Sequence, residues 1–129
     1  MENPFERLGG EAKVRAIAER FYDVMSDEEP ALARLHEVDE AGRVARGPRE
    51  RFALFFIGWL GGPQTYMELH GHPRLRMRHA RVAVTPAMRD AWVRAMRRAM
   101  DDEGVAGELR SFLDQRLLEV ANMLVNATG

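Results

Sequence analysis

The stretch from Gly71 to His79 holds the side chain that is best suited to bind a metal. His79 ends a short run that is rich in arginine, and a neutral imidazole nitrogen is a strong ligand for transition metals. Two aromatic residues with polar tips, Tyr22 and Trp92, lie on separate amphipathic segments, and we expect both to face the same pocket. These three residues predict a metal-cofactor pocket with hydrogen-bond donors opposite the metal ligand.

Arg76 and Arg78 lie beside His79, and this neighbourhood favours one cofactor in particular. An iron porphyrin needs at least one strong axial ligand. Its two propionates are groups that guanidinium side chains bind through charge-assisted hydrogen bonds. The pattern therefore indicates a haem site in which His79 binds the iron and the two arginines hold the propionates. A solvated basic surface explains the same three residues and stays open as an alternative.

Three polar side chains are candidates for contact with a small molecule bound to the metal. The indole of Trp92 is a donor only, so its N–H would stabilise partial negative charge on a bound gas. The phenol of Tyr22 must find a partner if it is buried, and His36 would add a third polar contact. The alternatives are core packing for Trp92, a backbone partner for Tyr22, and a capping or surface position for His36.

Other chemistries have less support in the sequence. The chain has no cysteine, which removes disulfides, thiolate ligands and cysteine nucleophiles. It also has no glycine-rich phosphate loop after a strand and no nucleophile elbow. A zinc site made by His70, His72 and His79 would have unsuitable ligand spacing. His70 and His72 are therefore interpreted as structural residues, with contacts in a turn and at a helix start.

Composition and charge are typical of a globular protein. The 129 residues are 46% hydrophobic and 30% charged, which predicts one domain over residues 1–129. A net charge of −1 provides no general attraction to nucleic acid. The acidic first residues do not resemble a secretory signal, and the longest apolar run is too short to span a bilayer. We therefore expect a cytoplasmic protein with no nucleic-acid or membrane partner.

Hydrophobic periodicity predicts helices in the first half of the chain. A helix is expected from about Glu11 to Met25, followed by a turn from Ala31 to Leu35 that buries Leu32 and Leu35. Residues 37–51 are polar and contain glycine and proline, which predicts an irregular connection. The next helix carries an apolar stripe and ends at a Gly-Gly-Pro sequence. The stripe comprises Phe52, Phe55, Phe56, Trp59 and Leu60.

The second half also shows helical periodicity. Pro73 is suited to start a brief helix that ends near His79, and Thr85 with Pro86 is a capping and start signal for another helix. The apolar positions of that helix are Met88, Trp92, Ala95, Met96 and Ala99, and those of the last helix are Leu109, Phe112, Leu113, Leu117, Val120 and Leu124. No alternation typical of strands occurs. The predicted fold is therefore all-α, with five or six helices.

Several short motifs together resemble the truncated, two-over-two globins, and within them the second group. The resemblance covers nearly the whole chain. Its markers are Gly9-Gly10, Phe21-Tyr22, Gly61-Gly62-Pro63 with Tyr66, the run Gly71-His72-Pro73-x-Leu75-Arg76-x-Arg78-His79, and Asp90-Ala91-Trp92. The resemblance implies a truncated globin-like two-over-two helical sandwich.

The resemblance also assigns roles to particular residues. It makes His79 the proximal iron ligand, Tyr22 and Trp92 the distal tyrosine and tryptophan, and His36 the residue at the corner position near the ligand. It identifies no gate residue in 37–51. Phe52 takes an inward position where many relatives have leucine, which implies tighter ligand access. The candidate cofactor-binding residues are Tyr22, His36, Phe52, Phe55, Phe56, Tyr66, Leu75, Arg76, Arg78, His79 and Trp92, although plain helix packing explains the phenylalanines equally well.

The implied function is reversible binding of oxygen and other diatomic gases by haem b. The family is also linked to nitric oxide detoxification and peroxidase-like redox chemistry, so the resemblance leaves open whether the chain is an enzyme. Its partners would then be an unidentified reductase and, as in many such globins, a second copy in a homodimer. The alternative is a haem-free helical module that binds a partner protein or an apolar ligand.

Overall fold

The computed structural model describes residues 2–128, and within that range the regular structure is helical apart from one isolated bridge between Val38 and Val44. This confirms the all-α prediction. The helices are α1 (Pro4–Leu8), α2 (Glu11–Glu28), α3 (Pro30–Ala33), α4 (Arg46–Trp59), α5 (Thr65–His70), α6 (Leu75–His79), α7 (Pro86–Asp102) and α8 (Gly107–Leu124). The described residues thus form eight helices and not five or six, because α1, α3, α5 and α6 are short. None of the described helices is both long and apolar enough to span a membrane.

The core lies where α2 packs on α4 and α7, and α8 packs on α7. Helices α2 and α4 form one layer of the molecule, and α7 and α8 form the other. Phe21 on α2 and Phe56 on α4 are fully buried large side chains. The facing surface of α7 includes the buried small residues Ala95 and Ala99, which let the helix axes approach closely. The longest helices therefore form a rigid frame on which the shorter ones are placed.

The helix-start and helix-stop signals of the sequence are confirmed at two sites. The Thr85 hydroxyl accepts a hydrogen bond from the Met88 amide at 3.2 Å, with Pro86 in the first turn of α7. After α4, Gly61 has a φ of +106°, and a side chain on Gly62 would lie 2.6 Å from the Phe5 ring. The second glycine is therefore required because α1 packs directly against the end of α4.

The prediction that residues 37–51 form an irregular connection is wrong for its last six residues. Helix α4 begins at Arg46 and includes Gly47 and Pro48 in its first turn. The first N–H groups of a helix have no partner inside it, so a proline near the start removes no hydrogen bond. The Gly-Pro pair therefore marks a helix start here, and not a break.

Three other local predictions are corrected. Leu35 is 42% exposed because α3 ends at Ala33 and the helical spacing no longer applies. Phe112 is 50% exposed. The buried residues of α8 are Leu113, Leu117 and Ala121, which lie four residues apart, and Phe112 lies at the edge of that stripe. His70, interpreted from the sequence as a residue with contacts in a turn, is instead the last residue of helix α5.

Candidate functional site

His79 is the half-buried last residue of α6, and its ring orientation is fixed by its own helix. The Nδ1 atom lies 2.7 Å from the Leu75 carbonyl oxygen. Because a carbonyl only accepts hydrogen bonds, Nδ1 carries the proton and donates it. In the neutral ring, Nε2 then keeps its lone pair, which is the state required of a metal ligand. The four-residue spacing of Leu75 and His79 on α6 thus sets both the direction and the tautomer of this imidazole.

The backbone around His79 is held by a side chain from the other end of the fold. The Asn126 amide donates to the carbonyl oxygens of His79 at 3.1 Å and Val82 at 3.0 Å. Its oxygen accepts from the Val84 amide at 2.8 Å, and two further backbone bonds join residues 126 and 127 to the Val84 carbonyl. Sequence analysis missed Asn126, because nothing local indicates a partner more than 40 residues away.

The basic residues of α6 have different surroundings. The Arg78 guanidinium lies 5.9 Å from the centre of the Tyr66 ring, which in turn lies 6.0 Å from the Phe55 ring on α4. A cation–π contact thus joins α6 to buried Tyr66 on α5. Arg76 lines an open cleft of about 460 Å³ between residues 76–83 and 123–127. Neither Tyr22 nor His79 lines that cleft.

Tyr22 on α2 presents a hydroxyl group without a protein partner. The residue is only 4% exposed, yet within residues 2–128 its hydroxyl makes no hydrogen bond. No fully buried side-chain nitrogen or oxygen in this range lacks a partner, so the hydroxyl itself is not fully buried. Burial raises the pKa of Tyr22 above its ordinary value of 10.0, although the charges of Arg49 and Arg51 act against that shift. The phenol therefore stays protonated and able to donate.

Aromatic rings surround this phenol and set its position. The Tyr22 ring lies 4.9 Å from Phe21 and 5.6 Å from Phe52, centre to centre. Phe21 also contacts the half-buried Trp92 ring edge-on at 5.2 Å. Phe56 is almost fully buried beside Phe52, so it belongs to the core, whereas Phe52 and Phe55 are half-buried. Three helices thus bring Tyr22, Phe52 and Trp92 together.

His36 completes the cluster of polar rings. Its ring lies edge-on to Tyr22 at 5.6 Å, and its Nδ1 donates to the Leu32 carbonyl oxygen at 3.1 Å, which fixes its tautomer in the same way as that of His79. Burial lowers the pKa of His36, two backbone hydrogen bonds raise it, and the charge of His79 lowers it further.

Arg49 is a second residue that sequence analysis missed. It is 6% exposed and lies near the start of α4. Its guanidinium donates to Glu19 at 2.7 Å, Asp23 at 2.8 Å and the Val44 carbonyl at 2.8 Å, and it lies 5.9 Å from the centre of the Tyr22 ring. A signal was present, because Arg49 precedes Phe52 by three residues and so shares the buried face of the helix.

The ion pairs of Arg49 hold the outer side of α2 against the start of α4. Burial acts to raise the pKa of Asp23, but hydrogen bonds from Arg49 and Arg43 outweigh it and lower that pKa. A hydrogen bond from Arg46 is the main cause that lowers the pKa of Glu19. Both carboxylates thus stay ionised behind the tyrosine ring.

The remaining histidines are not brought to this site as metal ligands. His72 accepts a hydrogen bond from the Arg74 amide at 3.1 Å, which confirms the predicted helix-start contact. The His70 ring contacts Tyr66 at 4.9 Å. In residues 2–128, no three His, Cys, Asp or Glu side chains are grouped so that they could hold a metal ion. The described residues therefore present one imidazole with a free Nε2 on α6, and a separate cluster of Tyr22, His36, Phe52 and Trp92 packed around α2.

A family model described as bacterial-like globin matches residues 3–126 of this chain. The chain belongs to that family. Haem-based binding of diatomic gases is the general activity of truncated globins, so the globin prediction made from the sequence motifs is confirmed, and so is the two-over-two helical fold.

Individual relatives place this globin close to the group II truncated haemoglobins. It is 37% identical to the group 2 truncated haemoglobin YjbI of Bacillus subtilis over 125 residues, which is 97% of this chain and 89% of that protein. The crystal structure of the group II truncated haemoglobin from Bacillus anthracis superposes with a TM-score of 0.90 at 35% identity, covering 100% of this chain and 95% of that one. A truncated oxygen-avid haemoglobin from Bacillus subtilis gives 0.86 at 34% identity, with 97% and 100% covered.

Proposed function

We propose that this globin holds haem b with Nε2 of His79 as the axial ligand of the iron. The observation that carries the proposal is the hydrogen bond from Nδ1 of His79 to the Leu75 carbonyl oxygen at 2.7 Å, which leaves Nε2 free of a proton in the neutral ring. When bound, a ferrous haem supplies an open iron position that takes up diatomic gases reversibly. Arg76 and Arg78 hold the propionates, and Tyr66 keeps the Arg78 guanidinium in place.

Replacement of the imidazole tests this assignment. We expect His79→Ala to lose the haem absorption band on gel filtration, and added imidazole to restore it, because the free base replaces the missing ligand. His72→Ala is the matched control, since His72 is exposed and accepts only a local hydrogen bond. Circular dichroism should stay unchanged in both variants, because α6 contains no buried residue. Normal haem retention by His79→Ala without imidazole would refute the assignment.

The opposite side of the pocket supports retention of a polar diatomic guest. The hydroxyl of Tyr22 has no protein partner, and the same is true of the Trp92 indole N–H within the described range, so both are free to donate to a bound molecule. The hydrogen bond from Nδ1 of His36 to Leu32 leaves the other ring nitrogen of His36 available as well. Because a second solved relative is described as oxygen-avid, we extend slow oxygen release to this chain.

Oxygen release measured by stopped flow tests the role of the two donors. Each hydrogen bond to a partly charged guest contributes roughly 1.5–3 kcal/mol, so Tyr22→Phe and Trp92→Phe should each speed release about 10-fold to 100-fold. Phe55→Leu is a suitable control, because it alters a nearby half-buried ring without removing a donor. Unchanged release in both donor variants would defeat the proposed retention.

Retention of oxygen suits redox work better than bulk transport, and we therefore propose nitric oxide detoxification or peroxidase-like turnover as the physiological role, with a reductase as partner. Reaction of the oxygenated protein with nitric oxide in a single turnover tests the first role. Peroxide-dependent oxidation of a dye tests the second. If both reactions are slow, reversible gas binding remains as the only proposed function.

A further inference from the structure

Residues 69–81, named here the basic segment, have a charge unlike that of the rest of the chain. The segment contains four arginines and no aspartate or glutamate. With its histidines neutral it carries a charge of +4, while the whole chain carries −1, so the other 116 residues carry −5. The arginines are Arg74, Arg76, Arg78 and Arg81. Positive charge is thus concentrated around the proposed iron ligand.

The charge of the basic segment is not neutralised within the protein. All four arginines are exposed, and none forms an ion pair with any described residue. By contrast, twelve of the other fifteen basic residues pair with a carboxylate inside residues 2–128. In the haem-loaded protein the propionates are assigned to Arg76 and Arg78. Arg74 and Arg81 then remain as exposed charges without a carboxylate partner in residues 2–128, which favours a partner that brings negative charge.

The basic segment also exposes apolar side chains. Leu69 is 65% exposed and Met77 is 64% exposed, the highest values among the large apolar side chains in residues 2–128. Apolar side chains bordered by arginines are typical of surfaces that bind another protein. A nucleic acid or an anionic membrane is less favoured than a small acidic protein, because an extended polyanion would also contact the other 116 residues, which carry −5, whereas a small partner touches only the segment.

We propose that the basic segment is the docking surface for a small acidic redox protein that delivers electrons to the haem. The proposal rests on the haem site proposed above. With haem bound, the partner's reduced flavin would give up one electron and be oxidised, and ferric iron would accept that electron and become ferrous. No bond is formed or broken. The acidic face of the partner lies on Arg74 and Arg81, while Arg76 and Arg78 stay with the propionates.

The test uses the haem-loaded protein with a purified acidic flavodoxin as probe. The variant Arg74→Glu/Arg81→Glu reverses two exposed, unpaired charges of the segment. The matched control is Arg7→Glu/Arg34→Glu, which makes the same change in net charge at two exposed, unpaired arginines outside the segment. Calorimetry measures the Kd of oxidised flavodoxin, which requires no turnover. Stopped flow measures reduction of the ferric protein by reduced flavodoxin.

We expect the segment variant to weaken flavodoxin binding and slow reduction at least about 10-fold at low salt, and the control to change either by no more than about 2-fold. The difference between the segment variant and the control, in binding and in reduction rate, should shrink as the ionic strength rises from about 10 mM to about 0.5 M. Equal effects in both variants, or none in either, would overturn the proposal. The proposal would also be overturned if the segment variant lost binding to phosphatidylserine vesicles while its binding of flavodoxin stayed unchanged.

The two proposals fail in different ways. Reduction by dithionite, which needs no docking, and the haem absorption band should both be normal in the segment variant. If His79→Ala keeps its haem, the haem assignment fails whatever the flavodoxin titration shows. If the segment variant binds flavodoxin normally, the docking surface fails and the haem assignment stands.

Discussion

The two sides of the proposed haem pocket are built by different means. The distal side, formed by Tyr22, Phe52 and Trp92, belongs to the core packing of three long helices. The proximal side is a five-residue helix, α6, that contains no buried residue and is held by hydrogen bonds and by the contact of Arg78 with Tyr66. The groups that would select the gas are therefore rigidly packed, whereas the residue that would hold the iron is attached more loosely.

This difference separates fold stability from cofactor retention. Distal substitutions should lower the free energy of unfolding, because they remove apolar surface from the shared core. Proximal substitutions should change haem loss and local opening while global stability stays nearly constant. The following measurements test that division, beginning with the largest expected effect.

Truncation of a core ring on the distal side should be severely destabilising. Phe21 has no exposed surface and contacts both Tyr22 and Trp92. Phe21→Ala should therefore cost about 3–5 kcal/mol in urea unfolding of the haem-free protein. Met77→Ala on α6 is the proximal counterpart, and because Met77 is exposed it should change stability by less than about 0.5 kcal/mol. Similar losses in the two variants would remove the contrast between the two sides.

Loss of the buried guanidinium behind Tyr22 should have the next largest effect. Arg49→Met keeps the length of the side chain but leaves Glu19 and Asp23 without their shared partner, so we expect a cost of about 3 kcal/mol. Arg46→Met removes another partner of Glu19, but Arg46 is exposed, and an exposed ion pair contributes at most about 1 kcal/mol. Equal unfolding midpoints for the two variants would show that burial of Arg49 has no special effect.

Asn126→Ala tests the proximal hydrogen bonds. We expect hydrogen exchange of the Val84 amide to become roughly 10-fold faster and haem loss to rise, because the bonds to residues 79, 82 and 84 disappear together. Asn122→Ala is the control, since the Asn122 side chain accepts only from Arg89 at the surface. Normal exchange at Val84 in Asn126→Ala would mean that backbone bonds alone hold this region.

The smallest expected effect is a dependence of stability on pH through His36. The folded pKa of His36 is lowered from 6.5, mainly by burial. The unfolded chain therefore binds more protons between the two values. Stability present above pH 6.5 is lost as the pH falls through the folded pKa. The variant His36→Phe should lose less stability than the native protein between pH 8 and pH 5. Identical pH profiles would contradict this, and an NMR titration of His36 gives the folded pKa directly.

The sequence predicts the local features of the molecule better than its long-range contacts. The apolar stripe of α4 and the cap at Thr85 follow from residue types and spacing within one helix. The start of α4 at Arg46 was missed, because Gly47 and Pro48 suggest a break when their place in the first turn is unknown. Leu35 and Phe112 were misplaced because periodicity gives the face of a helix and not its ends or edges.

Contacts between residues far apart in the sequence cannot be predicted from local sequence patterns. The hydrogen bonds of Asn126 join residues 44 and 47 positions apart, and no spacing rule identifies such a pair. The burial of Arg49 could have been predicted, because Arg49 lies on the same helix face as the apolar stripe of α4. A buried charge must also find polar partners. Its partners Glu19 and Asp23 nevertheless lie on another helix, and only the fold brings them together.

The hydrogen bond between Asn126 and His79 has a consequence for the order in which the molecule matures. Asn126 follows His79 by 47 positions, so during synthesis α2, α4 and α7 emerge before the residue that ties down the histidine loop. A domain generally folds as a unit, so its packing is complete only when its last elements have left the ribosome. The backbone around His79 therefore gains these hydrogen bonds near the end of synthesis.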